Sequence, residues 1–162
     1  SRRRHTRYWR DWSSDVCSSD LVNNATFAGH PEQSNWSERD LAIRTKEAWF
    51  NPKGFLIADI AGEIAGFCWT KVHGGHTHKH SDSEAEHDHD PIGEIYIMGV
   101  NPKYQSKGIG RAVTLAGLKQ LRHEGIFSAM LYVDADNQAA IKLYESLGFK
   151  EWGRDLLYKF IH

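Results

Sequence analysis

The sequence predicts an α/β fold: a sheet with helices on both faces. Two observations carry this. In "GFLIADIAGEIAGFCWTKV", two apolar runs meet at Gly62, the pattern of a hairpin. Beyond the hairpin, strand-like and helix-like stretches alternate, which is how a sheet acquires covering helices.

Each element follows from local signals. "VNNATFAGHPEQ" reads as a short helix that stops before Pro31. "SERDLAIRTKEAWF" opens on Ser37 as N-cap and places Leu41, Trp49 and Phe50 at helical spacing. The hairpin comes next, then the polar run "HGGHTHKHSDSEAEHDHD", a low-complexity loop over 73–90. "GEIYIMGV" reads as a strand, and "GIGRAVTLAGLKQLRHEG" as a helix closed by Gly125. "AMLYVDAD" is expected to be a strand, "NQAAIKLYESLGF" a helix closed by Gly148, and "EWGRDLLYKF" a last strand.

The 162 residues suit one domain, and 40% hydrophobic with 25% charged residues is a globular balance. A net charge of −1 provides no basic field to recruit nucleic acid, so any anion must be held by local groups. No apolar run is long enough to span a bilayer, and the basic start is not followed by the apolar core of a signal peptide. No membrane partner is therefore expected, and the cytoplasm is the expected compartment. Cys17 and Cys68 make no disulfide framework.

Residues 1–20, "SRRRHTRYWRDWSSDVCSSD", have neither helical nor strand period. They resemble the frame translation of a sequencing adapter; the alternative is a disordered native tail. Either way they stand outside the fold, and the domain is expected over 21–162. Six of the ten histidines fall between His73 and His89, interspersed with Asp82, Glu84, Glu86, Asp88 and Asp90. The spacing is irregular and no thiol contributes, so the run reads as a solvated insertion, with a Zn²⁺ or Ni²⁺ site, or a metal-buffering role, as the alternative.

The densest chemical signal is "VNPKYQSKGIGRAV", residues 100–113. A strand, a Gly-rich turn and a helix leave the helix's first N–H groups unpaired, pointing outward with the positive end of the helix dipole. Glycine lets a diphosphate approach the backbone, and Lys107 and Arg111 add charge at the rim. A tight turn that binds nothing is the competing reading. The spacing is neither the dinucleotide fingerprint nor a P-loop.

Two flanking stretches bear on that choice. With "GEIYIMGV" upstream and "N-x-x-A-x-x-L-Y-E-x-x-G-F" downstream, the Q-x-x-G-x-G turn resembles the GNAT superfamily of acetyl-CoA-dependent N-acyltransferases. The resemblance implies that superfamily's α/β fold, with a central mixed, twisted sheet. "VNNATFAGHPEQ", "EAWFNPKGF", "GFCWTKVH", "GEIYIMGVNP" and "LYVDADNQAAIKLYESLGF" further resemble the C-terminal half of the mycothiol synthases of actinobacteria, over Leu21 to Phe160. That family acetylates the cysteinyl amine of cysteinyl-glucosaminyl-inositol, the last step of mycothiol assembly. It carries two tandem acetyltransferase domains, so the resemblance implies a missing N-terminal partner domain. The His-rich loop is longer than the family's.

The resemblance implies a site. The pantetheine arm of acetyl-CoA would lie along Met98, Gly99 and Val100, pairing with the backbone as an added strand does. Gln105, Ser106, Lys107, Gly108, Ile109, Gly110 and Arg111 would take the pyrophosphate. Asn137, Gln138, Ala139, Ala140, Ile141 and Lys142 would complete the channel. Glu94 is the candidate base and Tyr144 the candidate partner of the leaving thiolate; on pattern alone the first is a surface carboxylate and the second a core tyrosine. Glu32, Lys71, Glu94 and Tyr132 fall where the family contacts its acceptor, a polyol with one amine. No metal is required. The alternatives are an acetyltransferase for another small amine or a protein N-terminus, or a fragment that binds acetyl-CoA without turnover.

Overall fold

A computed structural model describes residues 37–74 and 90–156. The helix expected before Pro31, the segment 1–20, Glu32 and most of the His-rich run lie outside the described residues. The chain divides into two compact units, one ending at Tyr132 and the other beginning at Val133.

In the first unit, helix α1 (Glu38–Arg44) opens with a capping box: Ser37 Oγ accepts from the backbone N–H of Asp40, and the Asp40 carboxylate accepts from the Ser37 N–H at 2.8 Å. That pairing holds the Asp40 carboxyl below its ordinary range, chiefly through the Ser37 hydroxyl. The helix is shorter than its apolar spacing predicts. It ends at Thr45, and turns, not helix, carry Trp49 and Phe50 into the core. Strands β1 (Phe55–Ile60) and β2 (Glu63–His73) form the predicted hairpin around Ala61 and Gly62, both at positive φ as a two-residue turn demands. Strand β3 (Ile92–Val100) leads through a 3₁₀ turn (Pro102–Tyr104) to helix α2 (Ile109–His123), and strand β4 (Ser128–Leu131) follows.

The sheet order is β1-β2-β3-β4, antiparallel except for the parallel β3–β4 pair, so the sheet is mixed, as expected. It is covered on both faces. On one face Leu41, Phe67, Trp69 and Ile97 form a core completed by Trp49, Phe50, Phe55 and Tyr96. Trp69 is fully buried, with the rings of Trp49, Phe50, Phe55 and Tyr96 at centroid distances of 5.2–5.7 Å. Such pairs each contribute about 0.5–1.5 kcal/mol beyond area burial. On the other face Ala58, Cys68 and Ile95 meet Val113 and Leu121 of α2. Burial there pushes the Cys68 thiol up to about 12.

Strand β3 carries a bulge. Trp69 is paired with Ile97 and Thr70 with Ile95, leaving Tyr96 as the extra residue. Tyr96 and Ile97 therefore both pack on the aromatic face, while Ile95 and Met98 pack on the α2 face.

Helix α2 lies very close to the sheet because glycines face it. A β-carbon on Gly117 would stand 2.6 Å from Cys68 Sγ, and one on Gly66 would stand 2.9 Å from the Ile109 side chain. Ile109, the first residue of α2, thus sits directly over β2, which fixes the helix N-terminus at the end of β3.

The second unit holds helix α3 (Gln138–Ser146), capped by the Asn137 side chain on the Ala140 N–H at 3.1 Å. Tyr144 is buried and packs edge-on to Phe149 at 5.9 Å. Two strand expectations are corrected. β4 stops at Leu131 instead of running to 136, because its ladder with β3 ends at Ile95↔Leu131. Residues 151–156 of the expected last strand have no regular structure; Trp152 and Leu156 are exposed there, and Glu151 pairs with Arg154 at 2.7 Å. Among the described residues no helix is long and apolar enough to cross a membrane.

The close seat of α2 gives a testable consequence. Gly117→Leu should lower unfolding free energy by about 1–3 kcal/mol, the usual cost of overpacking, as measured by urea denaturation. Unchanged stability would show that α2 can lift from the sheet freely.

Candidate active site

The extra residue at Tyr96 gathers a set of polar groups on the aromatic face of β2 and β3. Glu94 stands directly across from Lys71, with His73 two residues further along β2. Glu94 is 7% exposed, on a strand flanked by β2 and β4. It is not the surface carboxylate that its position in the sequence suggests. His73 Nε2 lies 2.6 Å from Glu94 Oε2. Lys71 Nζ lies 4.9 Å above the Trp49 ring and 5.5 Å from that of Tyr96, an aromatic seat that suits an ammonium. Arg44 of α1 donates to the Tyr96 hydroxyl. Burial raises the Tyr96 phenol above its ordinary range, Arg44 opposes this, and the carboxylates of Glu94 and Glu47 add to it.

Beyond Ile95 the parallel pairing with β4 stops, so none of the described strands covers the edge of β3 over Ile97–Gly99. An extended chain can add to such an edge through backbone hydrogen bonds. Met98 and Gly99 on this edge, with Val100 after them, are the residues along which the resemblance leads the donor's arm to be expected.

The edge leads to the Gly-rich turn. Asn101 anchors its start: the side-chain carbonyl accepts from the Lys103 N–H at 3.0 Å, and the amide donates to Ile64 O at 3.1 Å. Ser106 has φ 58° and Gly108 φ 79°, so two residues of the turn lie in the left-handed region. Gly108 is the N-cap of α2 and supplies no capping side chain; the first turn of α2 has no acidic residue. No acidic side chain of that turn offsets the positive end of the helix, and Lys107 and Arg111 stand beside it. A β-carbon on Gly108 would meet nothing within 4 Å among the described residues. These features fit a phosphate group.

A clamp holds the turn to the hairpin. Glu63 accepts from Lys103 Nζ at 2.6 and 2.9 Å and from the Tyr104 hydroxyl. Lys107 Nζ donates to Lys103 O at 3.0 Å and lies 5.0 Å from the Tyr104 ring centroid. The Lys103 hydrogen bond holds the Glu63 carboxyl below its ordinary 4.5, and the bonds to Glu63 hold Lys103 and Tyr104 above their ordinary values.

The first unit thus brings together Lys71 and Glu94 among the expected acceptor contacts. Tyr132 lies just past β4 and is 68% exposed, and Glu32 is outside the described residues. In the second unit Asn137 caps α3, Gln138–Lys142 begin it, and Tyr144 is buried on its second turn. The sequence reading passed over His73, Tyr96, Arg44 and Trp49. For His73 the signal was present: in "WTKVH", Trp69, Lys71 and His73 alternate onto one face, but the histidine was read with the His-rich run. Among the described residues no three metal-ligating side chains come together.

Comparison with known proteins gives the family and the fold. Residues 9–149 match the model of the Acetyltransferase (GNAT) family, and the chain belongs to that family. A mycothiol acetyltransferase from Acidothermus cellulolyticus is 51% identical over 138 residues, 85% of this chain and 42% of the relative. One from Thermobispora bispora is 49% identical over 138 residues, 85% of this chain and 44% of that relative. The chain thus spans about two-fifths of the length of these curated relatives. Among solved structures, the aminoglycoside N-acetyltransferase AAC(6')-Iy in complex with CoA has the same fold, with TM-score 0.70 at 16% identity, covering 98% of this chain and 97% of that one. So does the ribosomal-protein-S18-alanine N-acetyltransferase of Escherichia coli, with TM-score 0.66 at 24% identity, covering 91% and 79%.

Glu63→Gln should loosen the turn while leaving the core intact. Amide hydrogen exchange over 104–109 should quicken with little change in melting temperature. The Glu63 pKa is depressed on folding, so the clamp's contribution is complete above about pH 4.5 and is lost as pH falls through the lower folded value. Exchange protection over 104–109, corrected for intrinsic rates, should follow that course in the parent. Equal exchange in parent and variant would show that the clamp does not order the turn.

Proposed function

We propose that the chain transfers the acetyl group of acetyl-CoA to a primary amine, and that the acceptor is the cysteinyl amine of cysteinyl-glucosaminyl-inositol, the closing step of mycothiol assembly. The observation that carries the reading is the buried Glu94 carboxylate on β3, just before the uncovered edge of that strand. Relatives about half identical over 85% of the chain bear the mycothiol acetyltransferase name, which supports the choice of acceptor. A further acetyltransferase-like domain would accompany this one in the whole protein, since the relatives are more than twice as long. The compartment would be the cytoplasm.

The donor supplies an activated acyl carbon and a thiolate leaving group. The chain supplies the rest. Backbone groups at Met98, Gly99 and Val100 align the donor's arm, and one N–H there faces the thioester oxygen. The turn from Gln105 to Arg111 holds the pyrophosphate, and Asn137 to Lys142 are the second stretch that the family resemblance assigns to the donor.

An α-amino group has a pKa of roughly 7.7–8.0, so only about a tenth is neutral at pH 7. Glu94 removes the excess proton, directly or through one water, which is typically worth about 10²–10⁴ in rate. Tyr144 donates a hydrogen bond to the charge developing on sulfur. A phenol near 10 is a weaker acid than a thiol near 8.5, so stabilising that charge is a better role for Tyr144 than full proton transfer. Lys71, Tyr132 and Glu32 contact acceptor hydroxyls, and Glu94 the amine.

The test is thiol release from acetyl-CoA with cysteinyl-glucosaminyl-inositol. Glu94→Gln should lose most turnover at low pH and less as pH passes the amine's pKa. Tyr144→Phe should lose about 2–4 kcal/mol of barrier lowering across the neutral range. Parental rates in both variants would make these residues structural. Acetyl-CoA binding without turnover by the parent would favour a binding fragment, and turnover only with another amine would reassign the acceptor.

A further inference from the structure

We propose that His73 is a positioning residue for Glu94 and the route by which the proton taken up by Glu94 leaves the site. The inference rests on the acetyl-transfer reading above.

The stoichiometry requires such a route. An ammonium acceptor and a thioester become an amide, a free thiol and one proton: the N–C bond forms, the C–S bond breaks, one proton of the ammonium stays on nitrogen, one ends on sulfur, and one must depart. Glu94 receives that last proton, yet its side chain is only 9% exposed. It must give the proton up before the next turnover. His73 Nε2 is 2.6 Å from Glu94 Oε2, and the His73 side chain is 34% exposed. The pair spans the step from buried carboxylate to solvent-reaching ring. An imidazole suits the role because it can take up a proton at one ring nitrogen and release one from the other. Nε2 accepts the proton from the carboxyl and Nδ1 releases its own to water; the starting tautomer returns when Nε2 then gives its proton to water and Nδ1 takes one up, so that one proton in all reaches solvent.

The same contact orients the carboxylate. With Oε2 bound to His73, Oε1 is the oxygen left to face an acceptor. The placement follows from strand register: His73 is the last residue of β2, paired with Ile92, and its side chain shares a face with Lys71 and Glu94. Among the described residues, the other charged or titratable groups near Glu94 have contacts of their own. Lys71 of β2 rests on Trp49 and Tyr96; Tyr96 of β3 bonds to Arg44 of α1; Glu47, just beyond α1, acts on Tyr96. From β4, Met130 stands opposite Glu94 and brings no charge.

The experiment compares the full chain with its His73→Ala and His73→Gln variants. Melting temperature and acetyl-CoA affinity are measured first, and both should be unchanged. Turnover with cysteinyl-glucosaminyl-inositol is then followed from pH 5.5 to 9. At pH 7, kcat of His73→Ala should fall about 10–100-fold, as for loss of an outer-shell partner, with KM for acetyl-CoA unmoved. Added imidazole should restore it. His73→Gln keeps an N–H donor but cannot carry a proton, so its kcat should fall as far. Three results would each overturn the proposal: parental kcat in His73→Ala, no rescue by imidazole, or parental kcat in His73→Gln, which would reduce His73 to a passive hydrogen-bond donor. If His73→Ala does not fold, His73→Gln decides alone. If the parent binds acetyl-CoA but acetylates no amine, the acetyl-transfer reading fails first, and the relay fails with it.

Discussion

One inserted residue, Tyr96, sets the geometry of everything near the candidate site. In an unbroken strand, Ile95 and Ile97 would share a face. The bulge separates them, sending Ile95 to α2 and Ile97 to the aromatic core. Bulges increase local twist and bend the strand that carries them. Here the bulge falls directly after the last pair joining β3 to β4, Ile95↔Leu131. One irregularity thus accounts for two features: an uncovered strand edge over Ile97–Gly99, and a buried carboxylate just before it. Lys71 and His73 join Glu94 because β2 continues past the bulge in register to Ile92.

The second constraint is the distance between α2 and the sheet. Gly66 on β2 and Gly117 on α2 remove the side chains that would hold them apart. Packed at this distance, α2 can place Ile109 over β2 and present its N-terminus at the end of β3. Gly108 leaves that terminus without a side-chain cap, and the Glu63–Lys103–Tyr104 clamp fastens the approach to it. Strand edge and helix end then follow one another along the chain, an order that suits an extended molecule with a phosphate at one end.

Much of this was legible in the sequence. The hairpin was marked by its alternation and turn, α1 by Ser37, α2 and α3 by their closing glycines, and the turn by its two glycines. What was illegible depends on long-range pairing. "AMLYVDAD" has strand composition throughout, yet Tyr132 and Val133 extend beyond the ladder because β3 no longer pairs with β4 there. Trp49 and Phe50 fall at helical spacing but reach the same core through turns, because a large ring needs only a direction, not a helix, to be buried on Trp69. The bulge at Tyr96 left no local mark, so the alternation of "GEIYIMGV" could not say which side chains share a face. His73 was obscured by composition: one histidine in contact with Glu94 adjoins a run of many.

The central claim is that the β3 edge and the start of α2 form one continuous seat for the donor. Titrating the ¹⁵N-labelled chain with acetyl-CoA and following backbone amides tests it most directly. The account predicts that the strongest saturable shifts fall on Ile97–Gly99 and on Gly108–Arg111, at the same ligand concentrations. Saturable shifts confined to other surfaces, or shifts on one of these stretches without the other, would contradict it.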